Sequence, residues 1–311
     1  MRSGIKFDRD KYLSKLDEKE LVIFLFHGVV EDSVHEVRNY NGKHLLSQNF
    51  IDLIDGLSRY GIPLSMDEII GLNDDKNGYP PNSYAITFDD GFKNNHDIAA
   101  PALDDFSTPA TFYLTTDFIQ SNRMSWIDQI EYCFESIRST SLFLPWSNEK
   151  IQIHDAETKI AYLEEIRRNV KANPGKYLDD GFVRNIFDQC EVDLIETNSD
   201  VIDQKMNWED VHALSQNDLF TIGGHTHSHN SLAFLADDGM NHEIAVSLTY
   251  LKEKANLSTR HYSYPEGTEV DYSEKVIESL KKNGIRCCPT AIEGTNDCGI
   301  DLFHLRRTTV T

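Results

Sequence analysis

The chain has 311 residues, of which 40% are apolar, and its 51 acidic against 30 basic residues give a formal net charge of −21. This length and apolar content suffice for one large buried core, so a second independent domain is not required. The acidic excess disfavours nucleic-acid binding, which needs clustered cations. It favours a substrate that is neutral or becomes cationic in the reaction, although a local basic pocket would still suit a nucleotide or pyrophosphate.

Extended and helical segments alternate along most of the chain. The strand-like runs are residues 21–26, 84–89, 110–114, 219–223, 260–264, 285–288 and 303–309, and helical patterns lie near 48–60, 208–217, 241–256 and 273–283. Such alternation is typical of parallel strands joined by crossover helices. We therefore expect an α/β fold.

The alternation stops between about residues 125 and 205. Ser125 is suited to cap a helix that begins at Trp126, and residues 158–171 and 179–187 have helical periodicity. We expect a single domain, residues 1–311, with residues 125–205 as a helical insertion within it. The insertion would form a lid or one wall of a substrate groove, or it would be only a packing accessory.

Two adjacent carboxylates follow the strand predicted at residues 84–89. Asp89 and Asp90 end an apolar run and precede Gly91, which indicates a turn at the end of a buried strand. Adjacent side chains at a strand end point in different directions. One carboxylate can therefore bind a metal ion while its neighbour accepts a proton from water. The triplet alone is usually only a turn.

A histidine cluster follows the strand predicted at residues 219–223. His225 and His229 would share one face if the segment turns helical, with His227 on the other side. Such a cluster also occurs on surfaces without function. Together with Asp90, however, the two histidines make a set of one oxygen and two nitrogen ligands, which zinc accepts while a fourth position stays open for water.

These motifs resemble those of the NodB-homology polysaccharide deacetylases, carbohydrate esterase family 4. The resemblance rests on Thr87-Phe88-Asp89-Asp90-Gly91 and His225-Thr226-His227-Ser228-His229, and on similar segments in the family order at residues 25–29, 62–68, 108–114 and 207–210. It covers most of the chain apart from the insertion. It implies an irregular (β/α) barrel of seven or eight strands, whose active site lies at the C-terminal ends of the strands.

The resemblance also implies roles for the motif residues. Asp89 would be the catalytic base, and Asp90, His225 and His229 would hold one divalent metal ion. Zinc is the expected ion, although cobalt, nickel and manganese are not distinguished by these ligands. The implied reaction is hydrolysis of the N-acetyl group of an amino sugar or glycan precursor, which releases acetate.

The third family motif departs from the pattern. It reads Ser263-Tyr264-Pro265-Glu266-Gly267 here, so a serine stands where the family has the arginine that orients the base. Asp89 then needs another partner, for which Arg260, Arg306 and Arg307 are the candidates.

Further substrate contacts are implied by the same resemblance. They involve Pro265, Glu266, Gly267 and His27, and the backbone N–H of Glu266 would complete an oxyanion hole whatever its side chain. Leu302-Phe303-His304 matches the family triplet whose histidine protonates the leaving amine, which makes His304 the expected general acid. The acidic residue paired with tryptophan in the fourth motif is not found in the C-terminal third, which has no tryptophan.

Cysteine usage and the early apolar run bear on location. The five cysteines form no Cys-x-x-Cys pair, which is typical of reduced thiols in a cytosolic protein. Residues 21–26 are too few for a signal peptide or a membrane span. We therefore expect a cytoplasmic protein, or one at the inner face of the membrane, that acts on an N-acetylated sugar, free or carrier-linked. The oligomeric state is not indicated.

Three other functions stay open at this point. A sister group of the family opens cyclic amides or imides and also lacks the third-motif arginine, but its members often lack an intact ligand set. A catalytically silent carbohydrate-binding protein would bind sugar without releasing acetate. An O-acetyl esterase would tolerate a missing general acid, because an ester needs less protonation of its leaving group.

Overall fold

The structure is a computed structural model that describes residues 7–32, 35–76, 78–177 and 181–311. The helices are α1 (Arg9–Leu13), α2 (Ser47–Tyr60), α3 (Met66–Asp75), α4 (Ala100–Asp105), α5 (Thr116–Ser121), α6 (Trp126–Ser136), α7 (Ala156–Ala172), α8 (Pro174–Tyr177), α9 (Phe182–Cys190), α10 (Trp208–Ser215), α11 (Asp237–Ala255) and α12 (Glu274–Lys282). The strands are β1 (Val22–Phe26), β2 (Gly28–Val30), β3 (His44–Leu46), β4 (Ile62–Pro63), β5 (Ser83–Phe88), β6 (Ala110–Leu114), β7 (Thr140–Leu142), β8 (Ile151–Ile153), β9 (Phe220–Gly224) and β10 (Thr308–Thr309).

A parallel sheet forms the centre of the molecule, with strand order β10-β1-β5-β6-β9 and β4 also paired with β5. Beyond β9 the sheet continues through single parallel bridges, Gly224 to Tyr262 and His261 to Cys287. The N–H of Cys288 then donates to the carbonyl of Leu302, in the segment that returns to pair with β1. The extended segments therefore follow one another round an irregular (β/α) barrel.

Three of the predicted strands are less regular than the sequence indicated. Residues 260–264 and 285–288 form only isolated bridges, and the strand predicted at 303–309 is reduced to Thr308–Thr309. Pro265 and Pro289 follow the first two segments directly, and proline has no N–H to donate to a sheet ladder. The four predicted helices outside the insertion are all present, with ends within four residues of those expected.

Aromatic side chains pack against one another at the C-terminal ends of the central strands, directly below the two sequence motifs. All five residues of β1 and all six of β5 are buried. The Phe88 ring lies between Phe26 of β1 and Phe112 of β6, with centroid distances of 5.3 and 5.0 Å. Rings stacked across neighbouring strands fix their register, so the residues that follow each strand have defined positions.

The residues predicted as an insertion form most of a second apolar cluster, which also includes Val37. Ser125 caps α6 as predicted, because its side chain accepts a hydrogen bond from the N–H of Asp128. Helices α6, α7 and α9 pack around a buried cluster that includes Ile130, Leu163 and Phe187, together with the hairpin β7–β8, which the sequence analysis missed. The helix predicted at 179–187 begins at Phe182, and residues 179 and 180 lie outside the described part of the chain.

The insertion also contacts the barrel through partly buried polar groups. Glu135 of α6 accepts hydrogen bonds from the backbone N–H groups of Val37 and Arg38, which precede β3. The predicted boundaries of the insertion, residues 125 and 205, stay a prediction. No helix in the described part of the chain is both long and apolar enough to cross a membrane.

Candidate active site

The two carboxylates lie in a tight turn directly after β5. The N–H of Asp89 still bonds to the carbonyl of Phe26, so Asp89 remains in register with the end of β1. Asp90 and Gly91 then adopt left-handed conformations, with φ of 74° and 86°. Such a φ is costly for a residue other than glycine, and such residues cluster at functional sites. The turn separates the two side chains, as the sequence predicted.

Asp89 is held by a buried arginine from the end of the chain. Arg307 donates from its two terminal nitrogens to the two oxygens of Asp89, at 2.9 and 2.7 Å, and its side chain is fully buried. Ser263 donates to the same carboxylate at 3.3 Å and accepts from Arg307 at 3.0 Å. Burial alone would raise the pKa of Asp89, but Arg307 and His225 hold that pKa below its usual value.

The structure distinguishes between the three candidate arginines. Arg260 pairs with Asp67 at 2.9 Å on the surface. Arg306 is exposed and its guanidinium lies 3.5 Å from the carbonyl of Glu293. Of the three, Arg307 is the residue that faces Asp89, and it does so from the segment that pairs with β1.

The histidines lie just beyond β9, and glycines allow close packing there. A Cβ atom on Gly224 would lie 2.4 Å from the ring of Tyr262, so only glycine fits without a shift. The helical turn expected after β9 is wrong, because Thr226 and His229 have positive φ values of 63° and 61°. His225 donates from Nδ1 to the carbonyl of Ser263 at 2.9 Å, which leaves its Nε2 free to bind a metal ion.

The three predicted ligand groups converge despite this irregular backbone. Oδ1 of Asp90 lies 3.1 Å from Nε2 of His229 and 3.7 Å from Nε2 of His225. The same oxygen is buried, and no group among the described residues, His229 included, meets hydrogen-bond geometry with it. Buried polar atoms are normally satisfied, and one oxygen with two imidazole nitrogens is a donor set that zinc accepts. The geometry therefore fits a divalent metal ion at this point.

His227 belongs to a different environment. Its Nδ1 is hydrogen-bonded to the hydroxyl of Thr116 at 2.9 Å, and its ring packs against Tyr250. It therefore points away from the ligand cluster, as the sequence spacing indicated.

A cavity of about 220 Å³ opens above these groups. Its wall includes the predicted site residues His27, Asp89, Asp90, His225, His229 and Glu266. His27 follows β1, and burial lowers the pKa of its imidazole to about 4, so this ring is neutral near pH 7. The insertion contributes Trp126 and Ile127 from α6, and Arg167 and Lys171 from α7.

The third-motif loop brings a backbone donor to the cavity. Glu266 and Gly267 have φ values of 60° and 62°, and a Cβ on Gly267 would lie 2.6 Å from the amide nitrogen of Ala291. The N–H of Gly267 bonds to the carbonyl of Pro265, whereas the N–H of Glu266 has no hydrogen-bond partner among the described residues. Pro265 and Gly267 shape this turn but do not line the cavity.

The sequence did not indicate a contact between the ligand cluster and Lys43, which also lines the cavity. Lys43 lies 3.4 Å from Oδ2 of Asp90, the oxygen that faces away from the histidines. The same ammonium group contacts both oxygens of Asp128 on α6, at 3.2 and 3.3 Å. Lys43, whose side chain is 11% exposed, thus connects the insertion to Asp90. A single lysine in a loop gives no sequence signal for such a contact.

The structure places His304 away from the other predicted site residues. It does not line the cavity, and its Nδ1 is hydrogen-bonded to the hydroxyl of Tyr272 at 3.1 Å. Tyr264, which does line the cavity, stacks on Tyr272 with a centroid distance of 4.6 Å. His304 therefore lies behind two aromatic rings, and its role as general acid stays a prediction.

Substitution of His304 tests that role. Because its ring does not line the cavity, we expect His304→Ala to lower kcat by less than about threefold, whereas removal of a general acid typically costs about 10²–10⁴-fold. Steady-state kinetics would check this, with Tyr272→Phe as the companion variant that removes only the hydrogen bond. A loss of 10²-fold or more in His304→Ala alone would show that the imidazole reaches the substrate.

Comparisons with known protein families and structures agree with this geometry. A family model described as polysaccharide deacetylase matches residues 76–174 and 187–288, well over half of the chain. The two matched stretches include both motifs that carry the ligand cluster. No curated protein sequence matches the chain at a significant level.

Several solved structures share the fold. The deacetylase PplD from Streptococcus pyogenes, solved in complex with acetate, has a TM-score of 0.60 at 14% identity and covers 94% of this chain and 93% of its own. IcaB from Ammonifex degensii has a TM-score of 0.58 at 16% identity, with coverage of 95% and 94%. The BpsB deacetylase domain from Bordetella bronchiseptica has a TM-score of 0.55 at 16% identity, with coverage of 95% and 97%. These likenesses confirm the expected fold class.

Proposed function

Because the chain belongs to the polysaccharide deacetylase family, we propose that it is a metal-dependent hydrolase that removes the N-acetyl group from an amino sugar, free or carrier-linked, and releases acetate. Asp90, His225 and His229 would hold one divalent ion, with zinc as the expected metal. When bound, that ion would polarise the acetyl carbonyl and lower the pKa of water.

Asp89 is the proposed general base. Its carboxylate lines the cavity beside the ligand cluster, and Arg307 and Ser263 fix its orientation. A base that is held in place and ionised can accept the proton of the attacking water without reorganisation. The N–H of Glu266 is the proposed donor to the developing oxyanion, since it lies on the cavity loop and has no other hydrogen-bond partner among the described residues.

One observation carries the proposal. The buried Oδ1 of Asp90 has no hydrogen bond from any group in the described part of the chain, while two imidazole nitrogens face it, and a second carboxylate beside it is held ionised by a buried arginine. A purely structural ion pair would satisfy that oxygen. The departing nitrogen must also gain a proton. The sequence indicated His304 as the donor, but His304 does not line the cavity, and the substitution described above tests whether it supplies that proton.

Metal binding gives a prediction that does not depend on turnover. We expect the purified protein to bind one divalent ion per chain, measured by equilibrium dialysis with zinc. His229→Gln should weaken that binding by at least about 100-fold, since loss of a direct ligand exceeds the 10–100-fold cost of losing an outer-shell contact.

The matched control is His227→Gln, from the same loop. It should bind zinc like the unsubstituted protein, because His227 contacts Thr116 instead of the cluster. Equal loss in both variants, or no binding in either, would contradict the assigned ligands.

The position of His304 favours one second candidate, hydrolysis of an O-acetyl ester. An alcohol leaves with less protonation than an amine, so an esterase would not need a histidine at the cavity. Acetate release from O-acetylated and N-acetylated forms of one sugar, compared at equal concentration, separates the two reactions. We expect the N-acetyl substrate to be preferred.

A further inference from the structure

The insertion places two cations on the wall of the cavity. Arg167 and Lys171 are four residues apart on α7, so they share one face of the helix. Both line the cavity, and their side chains retain 21% and 38% of their exposure. With Lys43, three cationic groups face this space in a protein whose net charge is −21.

Among the described residues, each of these two side chains is paired with an acid that occupies only some of its donors. Arg167 donates from one terminal nitrogen to Glu131 at 3.0 Å, and Glu131 is itself buried in α6. Lys171 is paired with Glu266 of the third-motif loop. A guanidinium has five donors and an ammonium three, so neither group is saturated by one carboxylate. When an acid binds one edge of a guanidinium, the other edge is held in a fixed orientation and can donate to a planar anion.

On this basis, and resting on the proposed deacetylase function, we propose that Arg167 and Lys171 bind an anionic group, a phosphate or a carboxylate, attached to the N-acetylated sugar. The net charge disfavours polyanions at long range. However, exposed charges are screened within about 8–10 Å at physiological ionic strength, so the charges at the cavity wall decide local binding. The substrate class would then be an acidic or phosphate-linked N-acetylated sugar.

A purely structural role for the two ion pairs makes a different prediction. If they only tether α7 to α6 and to the third-motif loop, their loss would lower stability and affect all substrates alike. If they bind an anion, their loss would affect only charged substrates. Discrimination between charged and neutral substrates therefore distinguishes the two roles.

The test compares three substrates by acetate release: di-N-acetylchitobiose, which is neutral, N-acetylglucosamine 1-phosphate, and an N-acetylglucosaminyl-glucuronic acid disaccharide. We expect a KM at least about tenfold lower for one of the charged substrates than for the neutral one. Arg167→Met and Lys171→Met should each raise that KM about tenfold, since each loses a charge-assisted hydrogen bond. The charged substrate whose KM rises in these variants shows whether the site binds phosphate or carboxylate.

Arg168→Met is the matched control, because Arg168 is the exposed neighbour on the same helix and does not line the cavity. It should leave every KM unchanged within twofold. Arg167→Met leaves Glu131 buried without its partner, so its thermal unfolding is measured alongside. Should it fail to fold, Lys171→Met carries the test, since Lys171 is more exposed.

A binding measurement separates this inference from the proposed function. Calorimetric titration of the Asp89→Asn protein with N-acetylglucosamine 1-phosphate and with the glucuronic acid disaccharide needs no turnover. If the Asp89→Asn protein binds either charged sugar and the added Lys171→Met substitution abolishes that binding, the anion site is supported even if no acetate is released. Acetate release from the neutral sugar, with equal KM shifts for neutral and charged substrates in both variants, would overturn the anion site and leave the deacetylase intact.

Discussion

Replacing Arg307 by methionine is expected to lower the free energy of unfolding by about 3–5 kcal/mol and to slow acetate release by about 10²-fold. The stability loss follows because Asp89 would remain buried at 4% exposure without its cation. The loss of rate follows because a catalytic group displaced by about 1 Å can cost 10²-fold. Denaturant unfolding and steady-state kinetics on the same protein would measure both effects.

Two companion variants sharpen this test. Arg306→Met removes the adjacent, exposed arginine and should change stability by less than about 0.5 kcal/mol. The double variant Ser263→Arg with Arg307→Met returns an arginine to the third-motif position, where Ser263 Oγ lies 3.3 Å from both oxygens of Asp89. It should recover part of the rate lost in Arg307→Met. Equal rates for Arg306→Met and Arg307→Met would contradict the positioning role.

Asp89→Asn is expected to lower kcat by about 10²–10⁴-fold, because an amide cannot accept the proton of the attacking water. Asparagine keeps the shape of the side chain and one acceptor for Arg307, so the folded structure should persist. Metal binding should be retained, since the predicted ligands are Asp90, His225 and His229. Kinetics combined with zinc dialysis would check both expectations.

Asp90→Asn provides the contrast at the neighbouring position. It removes a charged ligand and should therefore lose metal and activity together. If the kcat of Asp89→Asn lies within tenfold of that of the unsubstituted protein, Asp89 is not the base. His27, which is neutral and lines the cavity, would then be the next candidate.

The pattern of strands and helices was predictable because the apolar periodicity is strong. β1, β5 and β6 are buried along their whole length, so their sequences read as continuous apolar runs. The irregular part of the barrel was less predictable, because Pro265 and Pro289 interrupt the ladders there. The hairpin β7–β8 consists of two three-residue strands, which are too short to give a clear period.

The site was predictable only in part, since its contacts join distant segments. The histidines proposed as ligands, His225 and His229, converge through left-handed residues, so the helical reason for which their spacing of four indicated them does not apply. Arg307 contacts Asp89 across 218 positions, and nothing in the sequence distinguishes it from Arg260 or Arg306. The position of His304 is set by the segment that closes the barrel, which a three-residue match cannot specify.

The part of the cavity wall that the insertion forms was also predictable only in part. Periodicity indicated a helix containing Arg167 and Lys171, and α7 is observed at Ala156–Ala172. Which of its faces meets the barrel depends on the packing of the insertion core and on the Lys43–Asp128 contact. Neither of these tertiary contacts can be predicted from the local sequence pattern.

The most direct measurement is acetate release from an N-acetylated amino sugar by the metal-loaded protein, before chelation, after chelation and after zinc is restored. The account predicts acetate and free amine in equal amounts, loss of at least about 10²-fold on chelation, and recovery with zinc. Turnover that persists in the fully chelated protein, or no turnover of any acetylated sugar by the zinc-loaded protein, would contradict it.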